Sequence, residues 1–117
     1  MDDDDVRPYR DRCAERRADL ERALERIVGF AARTPDIVRV IVFGSFARGQ
    51  TSPWSDLDVV VVRDAGPPDL VDDIYRECGV PGDVIGVRAQ DYPDRLRSTP
   101  FGRTILSEGR SYYARSA

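Results

Sequence analysis

Two aspartates one residue apart, Asp56 and Asp58, stand at the head of the run Val59-Val60-Val61-Val62. On an extended strand, side chains two apart share a face, with Cα atoms roughly 6.5 to 7 Å apart. That spacing lets both carboxylates converge on a pair of divalent ions about 3.5 to 4 Å apart, the separation used in two-metal phosphoryl chemistry. In a solvated loop such a pair would do nothing. Here it leads into a strand apolar on both faces, where two charges are costly unless a cation or hydrogen-bond donors satisfy them. Leu57, between them, points to the opposite side as a core residue. Upstream, Gly44-Ser45 directly follows the apolar run that ends at Phe43. Glycine there lets the backbone approach a ligand, the amides opening the next turn can point at phosphate oxygens, and Ser45 adds a hydroxyl. Arg48, about one helical turn on, can reach the same phosphates. Gly-Ser alone reads better as a tight strand-to-helix connection with no ligand. The whole stretch from Val40 to Val62, however, packs anion donors and paired carboxylates more closely than any other in the chain, as a metal-dependent nucleotide site would.

Composition narrows the chemistry. The 117 residues suit one domain able to bury a core without staples. There is no histidine, which removes Ser-His-Asp triads, histidine bases and zinc-histidine sites and leaves carboxylates for acid-base and metal work. All 18 basic residues are arginine, so a phosphate contact from a basic side chain must come from a guanidinium. A net charge of −3 gives no global field for nucleic acid, and no direct nucleic-acid binding is expected. Cys13 and Cys78 lie far apart and read as reduced, packed thiols. The start MDDDD lacks the basic and apolar regions of a signal peptide, and no apolar run is long enough to span a bilayer, so a cytoplasmic protein is expected.

The elements that must position these residues can be read from periodicity. Asp2 to Asp5 is a like-charge run, read with its neighbours as a disordered acidic tail over 1–8, followed by one domain over 9–117. From Tyr9 to Arg33, Cys13, Leu20, Leu24, Ile27, Val28 and Ala31 recur at helical steps, and Thr34-Pro35 stops the helix. Asp36 to Phe43 reads as a strand with Val38, Val40 and Val42 on one side and Ile37, Ile41 and Phe43 on the other. Asp56 to Val62 is the second strand, and Ala65 to Pro68 a linker into a helix over 69–78 with Leu70, Val71, Ile74 and Tyr75 inward. A third strand spans Asp83 to Val87. Helices are expected over 91–96 and 101–107, the latter with Phe101, Ile105 and Leu106 inward, and a short strand over 111–113. This alternation argues an α/β domain around a small sheet.

Gly44-Ser45, ten residues, then Asp56-Leu57-Asp58 between two strands resembles the signature of the nucleotidyltransferase superfamily with the DNA polymerase beta palm fold. The wider GSFARGQTSPWSDLDVVVV is similar to the minimal nucleotidyltransferases, and the resemblance runs from the first helix to the last tyrosines. It implies an α/β (α+β) fold, a small mixed sheet flanked by helices. It also implies a third carboxylate on the next strand, which Asp83 in PGDVIGV supplies. By that resemblance Asp56 and Asp58 hold both metals, Asp83 completes one metal site and helps draw the proton from the attacking hydroxyl, and Gly44, Ser45 and Arg48 bind the nucleotide. Asp64, Asp72, Asp73 and Asp91 are left as surface charges. The implied reaction moves a nucleoside monophosphate, AMP from ATP, to a hydroxyl and releases pyrophosphate. Mg²⁺, two ions, suits it because Mg²⁺ bridges carboxylates and phosphates.

Minimal nucleotidyltransferases of this size resemble antitoxins that occur beside a small helical HEPN-type toxin, and the implied acceptor is then a toxin tyrosine. A chain with no room for a separate substrate domain fits a protein acceptor or a helical partner. Two alternatives share the core: a non-catalytic toxin-binding module, and an aminoglycoside-type enzyme, which normally carries a second helical domain. Trp54, beside the carboxylates, can stack on a base, touch a partner or bury its ring against the loop. Tyr112 and Tyr113 are read as end-strand packing rather than as sites of self-modification.

Overall fold

Leu20, Ala23, Leu24, Ile27, Phe30 and Ala31 form one buried stripe along α1 (Tyr9–Ala32). The opposite surface carries pairs at helical spacing, Arg17 with Glu21 and Arg22 with Asp19, and the Thr34 hydroxyl donates to the Phe30 carbonyl at 2.7 Å as the helix ends before Pro35. The computed structural model describes residues 7–64 and 70–116. Of the expected acidic tail, residues 1–6 lie outside the described residues, as does the linker at 65–68. The Pro8 carbonyl accepts the amides of Asp11 and Arg12 at the start of α1.

After α1 come β1 (Ile37–Phe43), β2 (Asp58–Arg63), α2 (Leu70–Cys78), β3 (Val84–Arg88), α3 (Asp94–Arg97), α4 (Pro100–Glu108) and β4 (Arg110–Ala114). The strands form a mixed sheet in the order β3-β2-β1-β4, antiparallel except for β2 with β3. Both faces are covered, which is why β1 is apolar but for Arg39 and β2 is apolar between its ends, Asp58 and Arg63. Val40, Val42, Val59 and Val61 pack beneath α1 and α2, while Ile41, Phe43, Val60 and Val62 pack with Ile105 of α4. The sheet flanked by helices is the expected α+β architecture. Among the described residues no helix is long and apolar enough to cross a membrane.

Several expectations need correction; one is Tyr75 of α2, expected inward but exposed. Ile37 joins Val40 and Val42 in the α1–α2 core and Val38 packs with Ile41 and Phe43, the reverse of simple alternation, because the β1–β2 register slips between Ile37 and Arg39. An irregularity of that kind inserts a residue and flips the sides beyond it. The helix expected over 91–96 shrinks to Asp94–Arg97, since Pro93 falls inside the expected span and takes the N-cap position instead. Phe101 is 58% exposed rather than inward: it meets the ring of Phe43 edge-on at 5.8 Å, on the rim of the sheet.

The ends of the strands set where the acidic residues stand. β2 begins at Asp58, not Asp56, yet backbone pairing continues before it: the Leu57 amide donates to the Pro81 carbonyl and the Val59 amide to the Asp83 carbonyl, both at 2.9 Å. The Val84 amide donates to the Tyr75 hydroxyl at 2.6 Å, which ties the head of β3 to α2.

Candidate active site

Alternation along β2 sends Val59 and Val61 toward α1 and α2, so Asp58 shares the other face with Val60 and Val62. In the parallel pair Val59 lies opposite Val84, which sets Asp83 beside Asp58 and on the same face as Ile85 and Val87. The Asp83 amide lies near enough to the Asp58 carboxylate to favour its charged form. Asp56, one pleat earlier, is exposed, as is Asp83, while Asp58 is half-buried. Burial pushes the Asp58 carboxyl above the usual carboxylate range; the Asp83 amide works against that rise, and the negative charges of Asp83 and Asp56 add to it. Asp58 and Asp83 thus lie side by side at one end of the sheet, and Asp56 is near enough for its charge to act on Asp58.

Gly44 closes the site on the β1 side. Its φ is 83°, a backbone region that suits glycine, and a Cβ there would lie 3.0 Å from Asp58 Oδ2. The chain then turns, the Arg48 amide donating to the Gly44 carbonyl at 3.1 Å and the Gln50 amide to the Ser45 carbonyl at 2.9 Å. The amides of Ser45, Phe46 and Ala47 precede the first of these donors, as the opening amides of a helix do. Ser45 Oγ donates to Ser55 Oγ at 2.9 Å, and the Ser52 amide donates to the same oxygen at 2.8 Å. Ser55, only 8% exposed, therefore joins the turn to the carboxylate loop.

Arg48 forms an ion pair with Glu108 of α4, Nη1 to Oε2 at 3.0 Å, and its Nε donates to Gln50 Oε1 at 3.2 Å. To meet a phosphate it must leave that pair. Trp54 does not bury its ring in the loop: it is 72% exposed, its centroid 6.3 Å from that of Tyr9. Tyr113 packs against the α1 side of the core, whereas Tyr112 is exposed.

Two residues escaped the sequence reading. Arg16 of α1 donates through Nε to the Ser55 carbonyl at 2.8 Å and places Nη2 3.6 Å from Asp56 Oδ1. Nothing local marks it among the many arginines of α1. Ser55 had one signal, its place directly before the first aspartate.

A metal is tested by the donor set. Three carboxylates with no imidazole or thiolate among them suit a hard divalent cation. The desolvated Asp58, beside two further negative charges, fits a site that a cation would complete. Among the described residues no three ligating side chains already stand at chelating spacing. The donor set suits a hard divalent cation held jointly with phosphate and water rather than in an all-protein cage.

A family model described as "Nucleotidyltransferase domain" matches residues 15–104. A protein of Methanocaldococcus jannaschii provisionally named a protein adenylyltransferase is 32% identical over 80 residues, 66% of this chain and 79% of that protein. A crystal structure from Sulfolobus solfataricus, provisionally described as a nucleotidyltransferase, matches with a TM-score of 0.56 at 21% identity, over 89% of this chain and 88% of that one. A chain in a toxin–antitoxin crystal structure with AMP-PNP matches with a TM-score of 0.50, and one in a mutant MntA–HpeT toxin–antitoxin structure with 0.51. Both are 16% identical, over 82% of this chain and 74% and 73% of theirs. At such identities the structural matches establish a shared fold.

Proposed function

The chain belongs to the nucleotidyltransferase domain family, and from that premise we propose that residues 9–117 act as one Mg²⁺-dependent enzyme that transfers AMP from ATP to a hydroxyl of a partner protein, a tyrosine of a helical HEPN-type toxin, in the cytoplasm. The observation that carries this reading is the half-buried Asp58, with Asp83 beside it across the β2–β3 pair and Gly44 leaving room for its carboxylate. The relative named as a protein adenylyltransferase supports AMP and a protein acceptor, and the toxin–antitoxin matches support the kind of partner.

Each residue then has a role. Asp56 and Asp58 hold two Mg²⁺ ions, and Asp83 completes one of the two sites. Bound there, the ions offset the charge of the triphosphate and of the developing transition state. Gly44 and the amides of the following turn receive phosphate oxygens, with Ser45 as a hydroxyl donor and Arg48 exchanging Glu108 for phosphate. The acceptor oxygen attacks the α-phosphorus, the bond from that phosphorus to the bridging oxygen of the β-phosphate breaks, and pyrophosphate leaves. The acceptor proton passes to Asp83. Alignment and charge neutralisation supply most of the acceleration in such chemistry.

The test is incubation of the chain with α-labelled ATP, Mg²⁺ and a helical toxin encoded beside it, and label is expected on a toxin tyrosine. No transfer, or transfer that survives Asp56→Asn together with Asp58→Asn in a folded protein, rules the reaction out. Toxin neutralisation by that double variant would instead make the chain a binding module. Trp54, exposed two residues before Asp56, gives a finer readout. Trp54→Ala is expected to raise KM for the protein acceptor by tenfold or more, as loss of an aromatic anchor does, roughly 2 kcal/mol, and to leave KM for ATP unchanged. Equal effects on both would place Trp54 at the nucleotide.

A further inference from the structure

Arg16 lies where α1 crosses the loop that ends in the carboxylates. One guanidinium grips that loop twice, through Nε on the Ser55 carbonyl at 2.8 Å and through Nη2 at 3.6 Å from Asp56 Oδ1. Its side chain is 26% exposed, against 47% for Arg17, which turns back to Glu21 on its own helix. Through Ser55 the grip continues to Ser45 and the turn after β1. The two contacts have different consequences once an ion is considered. A carbonyl contact fixes the loop and costs the ion nothing. A guanidinium beside Asp56 balances its charge while no cation is there, and repels a cation that arrives.

We propose that Arg16 is a positioning residue with a second duty: it holds the carboxylate loop through Ser55 at all times, and serves Asp56 as a counter-ion that is given up when a divalent cation binds. This rests on the reading of Asp56 and Asp58 as metal ligands. The long 3.6 Å pair is the weaker of the two contacts and parts first, while the 2.8 Å bond remains.

The two duties separate by substitution. Arg16→Gln removes the charge and the fork together; Arg16→Lys keeps the charge but cannot reach a carbonyl and a carboxylate in one fork. In the full chain, titrated with Mn²⁺ and read by electron paramagnetic resonance, Arg16→Gln is expected to bind Mn²⁺ about three- to tenfold more tightly than the parent. Its kcat is expected to fall at least tenfold, because misplacement of a reacting group by about 1 Å carries a cost of that order or larger. Arg16→Lys is expected to keep the parent's Mn²⁺ affinity and to share the loss of kcat. A merely structural arginine would weaken Mn²⁺ binding as the fold loosened. The proposal is overturned if Arg16→Gln binds Mn²⁺ equally or more weakly, or if Arg16→Lys restores kcat. Should Arg16→Gln fail to fold, the lysine variant decides by its kcat. Failure of the underlying reading has its own signature: a parent that binds no Mn²⁺, or an Asp56→Asn plus Asp58→Asn variant that binds it as well as the parent, removes the metal site itself and Arg16's counter-ion duty with it.

Discussion

An Asp58→Asn variant is expected to lose nucleotidyl transfer by on the order of 10³-fold and yet to unfold at a higher temperature than the parent. The loss comes from its proposed role, since an amide cannot supply the negative oxygen that a bridging cation requires. The gain comes from what the carboxylate endures without that cation. Asp58 is half-buried, with Asp56 and Asp83 adding negative charge to an already desolvated group, and its carboxyl is held above the usual carboxylate range. A carboxyl whose folded pKa exceeds its unfolded one binds more protons in the folded state, so its contribution to stability is complete below the unfolded value and is lost as pH rises through the folded one. Once pH has risen through that folded value the parent bears the cost of ionising Asp58, and asparagine relieves it. Single stabilising substitutions commonly gain about 0.5 to 2 kcal/mol, and solvent screening of a carboxylate that is only half-buried puts this gain toward the low end. Thermal unfolding in EDTA is the measurement. The parent should gain stability relative to Asp58→Asn as pH falls from neutral toward the ordinary carboxylate range. Mg²⁺ should stabilise the parent and not the variant, because an ion that binds only the folded state shifts unfolding by mass action. An Asp58→Asn protein less stable than the parent in EDTA at neutral pH would mean that the Asp83 amide outweighs the desolvation, and the carboxylate would then be a structural acceptor rather than a strained ligand.

How far the sequence carried depended on how local each cause was. The valine run of β2, the stop at Pro35, the stripe of α1 and the turn at Gly44 each rest on a few consecutive residues, and each was legible. Asp56 and Asp58 could be paired on sight because they are two apart. Asp83 could not be: its place beside Asp58 is set by the parallel register of β2 with β3, and only the family resemblance pointed to it. The exchange of Ile37 and Val38 between the two cores was hidden for the same reason, since a slip in pairing is a property of two strands. Arg16 reaches Ser55 across 39 positions, and Phe101 is left on the rim because α4 covers the sheet with Ile105 instead. Local chemistry was readable, whereas partners across the sheet were not.

Gly82→Ala tests that non-local contact most sharply, and is expected to lower stability by about 2 to 4 kcal/mol and to depress kcat with it. A Cβ built on Gly82 would lie 2.1 Å from the Leu57 carbonyl oxygen and 2.7 Å from its carbon, so the clash is with backbone, which no side-chain rotation relieves. Neither side can retreat easily. Leu57 is fully buried, and the Leu57 amide is bonded to the carbonyl of Pro81, the residue just before the glycine. Overpacking of this kind costs roughly 1 to 3 kcal/mol, and a stretched or broken Leu57–Pro81 bond adds about 1 kcal/mol. The same displacement moves Leu57 away from the head of β3, and so separates Asp56 and Asp58 from Asp83. Gly79→Ala is the control. Gly79 has φ of 60° but only Arg26 Nη2 near its Cβ position, at 4.0 Å, so alanine there costs about 1 to 2 kcal/mol of backbone strain and leaves the carboxylates where they are. Both variants should lower the midpoint of chemical denaturation. Only Gly82→Ala should also lower kcat in the fraction that remains folded. If the two variants lost kcat alike, the spacing between the Asp56–Asp58 loop and β3 would not be what sets the rate.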